Sequence, residues 1–193
     1  MNNIRLKLGL LKIKRKKRKA FSLGEVLLSV FILGVTMVTI SQLFVVGLKN
    51  FADTRDSIIA SMLAQEGVEL ARNIRDNNWA KGNDSFDNLE ATSAAGSCLL
   101  DTDNKYCNSN VENCFNTGCR LYYKNGKYSH DASGSRTKFR RSVKINYVGG
   151  SDYRSAIVSV RVKWGDGYFG PFSNCTINNK CVFSMINLTQ WGK

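Results

Sequence analysis

Several things are scarce in this chain, and each scarcity excludes something. It has one histidine (His130), one proline (Pro171) and no C-x-x-C pair, and its first 24 residues contain no acid. With a single imidazole and no paired cysteines the residue types for a zinc centre are missing, and the chain shows no nucleophile elbow or phosphate-binding glycine loop. No catalytic residue, metal or cofactor is expected. The most informative gap is one of charge: between Val26 and Leu48, 23 consecutive positions hold no ionisable side chain. About 20 apolar residues suffice for an α-helix to cross a hydrocarbon core of ~30 Å, so the run reads as a membrane span.

What is present is arranged around that gap. Residues 1–20 carry nine lysines and arginines, and Glu25 stands alone just inside the apolar run. The formal charge of +13 is unevenly distributed: residues 49–119 have a net charge of −5 and residues 120–163 one of +9. The basic start therefore reads as a device that keeps the N-terminus in the cytoplasm and sends everything after Leu48 outside it. All six cysteines (Cys98, Cys107, Cys114, Cys119, Cys175 and Cys181) fall in the exported part, where disulfides form. Many connectivities are open to six cysteines; proximity favours Cys175 with Cys181 and Cys114 with Cys119.

An ordinary secretion signal places a small-residue cleavage site after its apolar core. Here the small residue, Ala20, precedes it, so a cut between Ala20 and Phe21 would remove the cations and leave the whole apolar helix on the mature chain. The junction KRKKRKA-FSLGE resembles the class III signal of type IV prepilins and pseudopilins, in which a basic leader ends in a small residue followed by an apolar first residue and a Glu at mature position five. The resemblance implies cleavage between Ala20 and Phe21, N-methylation of Phe21, and an assembly role for Glu25. It departs from the family pattern at Ala20, where Gly is usual, and at Gly24, where a bulkier residue is common. Together with the cysteine-rich head, Gly24 points to a minor subunit. A carboxylate in the first turn gains ~0.3–1 kcal/mol from the helix dipole, too little to offset immersion in hydrocarbon. A neighbouring copy's Phe21 amine would supply the missing cation. Snorkelling of Glu25 to the headgroups is the plainer alternative.

Helical spacing continues past the span through Phe51, Ile59, Leu63, Gly67, Leu70 and Ile74, with no proline to interrupt it and Asn77-Asn78 and Lys81-Gly82-Asn83 as a stop. From Phe21 to Asn78 such a helix would be ~87 Å long at ~1.5 Å per residue. Residues 80–119 read as a long cysteine-rich loop. Asp101, Asp103 and Glu112 have EF-hand-like offsets there, but Lys105 and Tyr106 occupy a ligand position and the turn-glycine position, so no bound cation is expected.

From residue 120 the period becomes two. Asn125-Gly126 signals a type I′ hairpin, and Phe139, Val143, Ile145 and Tyr147 alternate with polar residues, although Arg141 falls on the apolar side. Ala156, Val158, Val160, Val162 and Trp164 form one face of the next strand, and a last strand is expected over Val182–Trp191. The domain reading is a leader (1–20, removed), a transmembrane and assembly helix (21–48), an amphipathic stem (49–79), the loop (80–119) and an antiparallel sheet of four to five strands (120–193). This α+β arrangement is the pilin architecture in outline.

The basic outer strand positions Arg140, Lys144, Arg161 and Lys163 read as a solvated face, as a surface for head stacking, or as a contact for a polyanion such as DNA or a wall polymer. The resemblance implies other pilin subunits, a prepilin peptidase, an inner-membrane assembly platform and the membrane as partners; nucleic acid has no motif in its favour. It implies a single-pass inner-membrane protein with its N-terminus inside, and a cell-surface filament after assembly. The competing reading is a monomeric, signal-anchored binding module.

Overall fold

The computed structural model describes residues 20–89, 97–102, 119–148, 155–165 and 175–190. Helix α1 runs from Leu23 to Ala80 without a break, and the chain divides into two compact units, residues 1–48 and 49–193.

In the first unit the helical residues have no protein cover at all. Val26, Phe31, Leu43 and Leu48 are each more than half exposed, as are most large apolar side chains between them. Within this run the hydroxyls turn inward on their own helix. Ser29 Oγ donates to Glu25 O (2.7 Å), Thr36 Oγ1 to Leu33 O (2.9 Å), Thr39 Oγ1 to Thr36 O (2.8 Å) and Ser41 Oγ to Met37 O (2.8 Å). A hydroxyl bonded to a preceding carbonyl presents little unsatisfied polarity to its surroundings, which is how such residues become compatible with lipid. One helix near the N-terminus is thus long and apolar enough to cross a membrane.

In the second unit the rest of α1 packs beneath an antiparallel sheet. The strands are β1 (Ser97–Cys98), β2 (Arg120–Lys124), β3 (Lys127–Ser129), β4 (Ser135–Val148), β5 (Ser155–Trp164) and β6 (Cys181–Thr189). Five of them lie in the order β3-β2-β4-β5-β6, and β1 pairs with β4. The β2–β3 turn has Asn125 and Gly126 at φ 52° and 79°, the two left-handed residues of a type I′ turn. Register places Val143 opposite Val160, Ile145 opposite Val158 and Ala156 opposite Leu188, which gathers the apolar alternation of three strands on the face toward the helix.

The helix face that meets the sheet includes the expected Leu63 and Gly67, while the other expected positions sit at its border or beyond it. Phe51 is 72% exposed, and Ile59, Leu70 and Ile74 only border the core. The buried stripe is Ala60, Leu63, Ala64, Gly67, Val68 and Ala71. Small side chains spaced a turn apart let a sheet come close, and Ile59, Leu70 and Ile74 flank the seam. Gly67 marks the tightest approach: a Cβ there would stand 2.7 Å from Val160 Cγ1 and 3.3 Å from Arg141 Cδ.

Past Ala80 the chain turns at Gly82 (φ 74°), and Asn78 Nδ2 donates to Asp87 O (2.6 Å), tying the turn to the helix end. The final strand starts at Cys181 and ends at Thr189, two residues short of Trp191, which lies outside the described residues. Within residues 80–119, Ser97–Cys98 pair with Lys144 and Val143 as a short strand.

Because Val160 is fixed in the middle of the central strands, Gly67→Val should be poorly accommodated. It is expected to lower unfolding stability by about 1–3 kcal/mol, the usual cost of overpacking, read as a shift of the denaturant midpoint of the detergent-solubilised chain. An unchanged midpoint would contradict the close helix–sheet approach.

Candidate functional site

Three places carry candidate functional residues. The first is the start of α1. Ala20, Phe21 and Ser22 precede the helix and are exposed, and Phe21 is 77% exposed. Ser22 O accepts hydrogen bonds from the backbone N–H groups of Glu25 (2.9 Å) and Val26 (3.2 Å), so Ser22 is the residue from which the helix starts. Ser22-Leu23-Gly24-Glu25 has the S-x-x-E spacing of a capping box, a signal in the sequence that the reading by family resemblance passed over. The Ala20–Phe21 bond therefore lies in exposed, non-helical chain immediately before a defined helix start. Glu25 is in the first turn, and its carboxylate has no hydrogen bond or ion pair among the described residues.

The second place is a buried ionic centre in the head, built around the residue that broke the alternation of β4. Arg141 is fully buried. Its backbone N–H donates to Cys119 O (2.8 Å), which ties β4 to the end of the loop. Its Nη2 donates to Leu100 O (2.7 Å) and to Asp101 Oδ1 (3.3 Å). Nη1 reaches Leu63 O (3.4 Å) on the helix and Glu66 Oε1 (3.3 Å). Asp101 in turn accepts from the His130 backbone N–H at Oδ2 (2.8 Å) and contacts His130 Nδ1 at Oδ1 (2.7 Å). Burial acts to raise the Asp101 carboxyl, but the hydrogen bonds and charge of His130, with the charge of Arg141, outweigh it and hold it below the ordinary value of 3.8. One guanidinium thus joins the stem, the loop and the sheet. Asp101 is occupied by these bonds, while Asp103 and Glu112 lie outside the described residues. No group of metal-ligating side chains is present among the described residues.

The third place is the outer face of the sheet. Register sets Arg120, Arg140 and Lys163 side by side across β2, β4 and β5, with Arg161 opposite Ser142 and Lys144 opposite Ser159. The expectation of a solvated face does not hold along this row: Arg140 is 7% and Arg161 6% exposed, while Lys144 and Lys163 are half-buried. Arg140, Arg161 and Lys163 each have interactions of their own, so they are not free cations. Burial, with the like charges of Arg140 and Arg161, pushes the Lys163 ammonium below its usual range.

Of the cysteines, Cys175 and Cys181 are joined, with Cα atoms 4.9 Å apart. Cys98 and Cys119 are each disulfide-bonded to a partner outside the described residues, where Cys107 and Cys114 lie. No family model, no curated protein and no solved structure matches this chain.

The ionic centre has two measurable consequences. Arg141→Met leaves Asp101 and Glu66 without their shared cation and should destabilise the head by about 3–5 kcal/mol, the range for breaking a buried ion pair. A carboxyl with a lowered folded pKa contributes stability that is present above its unfolded value and lost as pH falls through the folded one. Unfolding midpoints of the wild-type chain should therefore drop as pH falls below 3.8. In Asp101→Asn the midpoint should start lower at neutral pH and show a shallower acid limb. Parallel acid limbs in the two proteins would contradict the assigned role of Asp101.

Proposed function

We propose that this chain is a structural subunit, of the minor pilin or pseudopilin kind, of a type IV pilus or a related secretion filament. The supporting observation is the first half of α1. Every described residue from Ala20 to Asn50 is exposed, the stretch from Val26 to Leu48 carries no charge, and the same helix continues into a folded head. A helix so apolar and so uncovered needs a surrounding that is not water. Lipid provides it first and neighbouring helices provide it afterwards. A prepilin peptidase cuts between Ala20 and Phe21 in the exposed chain before the helix. The mature subunit waits as a single-pass inner-membrane protein with its basic leader gone. At an inner-membrane assembly platform it joins a fibre through Phe21–Leu48, and such head-to-tail contacts grow open filaments instead of closed rings.

Glu25 gives the step its direction. Its carboxylate has no partner among the described residues, and the amine of a neighbouring Phe21 is a cation that becomes available only after cleavage. The ion pair therefore forms between copies, and only in the correct axial register. The competing reading, an anchored module that captures a polyanion on its basic sheet, loses support from the burial of Arg140 and Arg161.

Glu25→Ala separates these readings. It should leave membrane insertion unchanged while reducing the amount of the chain that co-sediments with sheared surface fibres by about tenfold, the effect of losing ~1.4 kcal/mol of interaction. Undiminished incorporation would contradict the pairing.

A further inference from the structure

We propose that the outer edge of β6 is a self-association surface, on which β6 of a second copy pairs antiparallel about Ser184 and joins two heads into one continuous sheet. The proposal rests on the fold of the head and not on filament assembly.

The two ends of the sheet are unlike. At one end β3 is three residues long and includes Lys127, and shortness and a lysine are common protections of a strand edge. At the other end β6 has nine residues in unshifted register with β5, and no charged residue, proline or glycine among them. A long, uncharged edge is a template for another strand. Trp164 N donates to Lys180 O (3.0 Å), which fixes the alternation along β6. The backbone groups of Val182, Ser184 and Ile186 turn to β5, and those of Phe183, Met185 and Asn187 turn outward. Both ends of the outer edge are already occupied: Cys181 N donates to Thr176 O (3.0 Å), and Thr189 O accepts from Arg75 Nη1 (3.4 Å). Between them, the outward backbone groups of Phe183, Met185 and Asn187 have no hydrogen bond among the described residues. The side chains there are uncovered as well, with Phe183 59% and Met185 63% exposed.

The order of residues in β6 says what the occupant is. About Ser184 the strand has the same pattern in both directions, with Phe183 and Met185 next to it and Val182 and Ile186 beyond them. A two-fold contact needs a patch that complements itself, and this one does. In antiparallel pairing about Ser184, Phe183 of each copy faces Met185 of the other on the exposed side of the sheet. Val182 faces Ile186 on the helix side, where both are half-buried against the core. Phe183 and Met185 exchange main-chain hydrogen bonds across the contact, and their side chains form the kind of cross-strand pair that stabilises a sheet. Centring on Met185 instead would set Phe183 against Asn187 and Ser184 against Ile186. Charge agrees with a second copy: β6 carries none, so it meets no repulsion from itself, and an acidic or basic peptide finds no counter-charge on it. Because each copy has one such edge, the pairing closes at two.

The test uses the full chain in detergent micelles, with the protein mass separated from the detergent by light scattering. The wild-type chain should be a dimer. Phe183→Lys combined with Met185→Lys sets like charges directly opposite, as does Phe183→Glu combined with Met185→Glu. Each should raise the dimer dissociation constant by about tenfold or more. An equimolar mixture of the two should recover the dimer. Independently, Ser184→Cys should cross-link to its own counterpart, since Cα atoms in such an opposed pair lie ~4.5 Å apart, within the ~4.4–6.8 Å that a disulfide spans. Met185→Cys is offset from its counterpart and should not. Peptide mapping should show the Cys175–Cys181 disulfide intact in both. A wild-type chain that stays monomeric, a folded lysine variant that stays dimeric, a mixture of folded variants that stays monomeric, or a cross-link at Met185 in place of Ser184 would each overturn the proposal. Should the charged variants not fold, the two cysteine variants decide alone.

Discussion

One unbroken helix has an uncharged, exposed half and a half that packs under a sheet, and most of the molecule follows from that division. Along its first half α1 carries no charge beyond Glu25 and sends each serine and threonine hydroxyl back to its own carbonyls. Along its second half the same helix carries Asp56, Glu66, Glu69, Arg72 and Arg75 and buries a stripe of alanines and Gly67 against a sheet. The transition falls at Lys49, the first cation after Lys19. Nothing in the helical backbone marks this point. It is side-chain polarity alone that divides the element into an exposed part long and apolar enough to cross a membrane and a part that packs in a protein core.

The head meets the second half with a device whose use is specificity more than stability. A buried guanidinium is seldom more stabilising than the apolar packing that would fill its place, because desolvation offsets much of the Coulombic gain. What Arg141 does is select one arrangement. Its Nη1 and Nη2 donors are matched by Leu63 O and Glu66 from the stem, and by Leu100 O and Asp101 from the loop, while Nε has no partner among the described residues. A shift of the sheet along the helix would leave the charge unpaired at once. The close contact of Gly67 with Val160 acts in the same direction through sterics. Ionic and steric constraints thus hold the sheet to a single position on the stem.

Much of this was legible in the residues, and the limits of legibility have physical causes. A charge-free run and a type I′ turn are local statements, and both could be read directly, as could the period-two faces of β4 and β5. Apolar bulk marks only part of the buried helix face: a sheet that approaches closely selects small residues, so Ala60 and Ala64 lie inside with Leu63 and Gly67, and Phe51 lies outside. Arg141 announced itself as a break in alternation. Its partners did not, since Glu66 and Asp101 are remote in sequence and meet it only through tertiary packing. The basic outer strand positions looked solvated for a related reason: alternation assigns a face, and it says nothing about what covers that face. At the N-terminal junction the spacing from Ser22 to Glu25 was visible as a helix start and was read only as a family signature.

The central claim is that Glu25 is left without a counter-ion until a new amine is created beside the span, and that creation is a covalent event with a definite mass. Intact-mass and N-terminal peptide analysis of the chain isolated from the membranes and surface fibres of cells measures it directly. The account predicts a chain that begins at a methylated Phe21. A chain that still begins at or near Met1 in both fractions would contradict it.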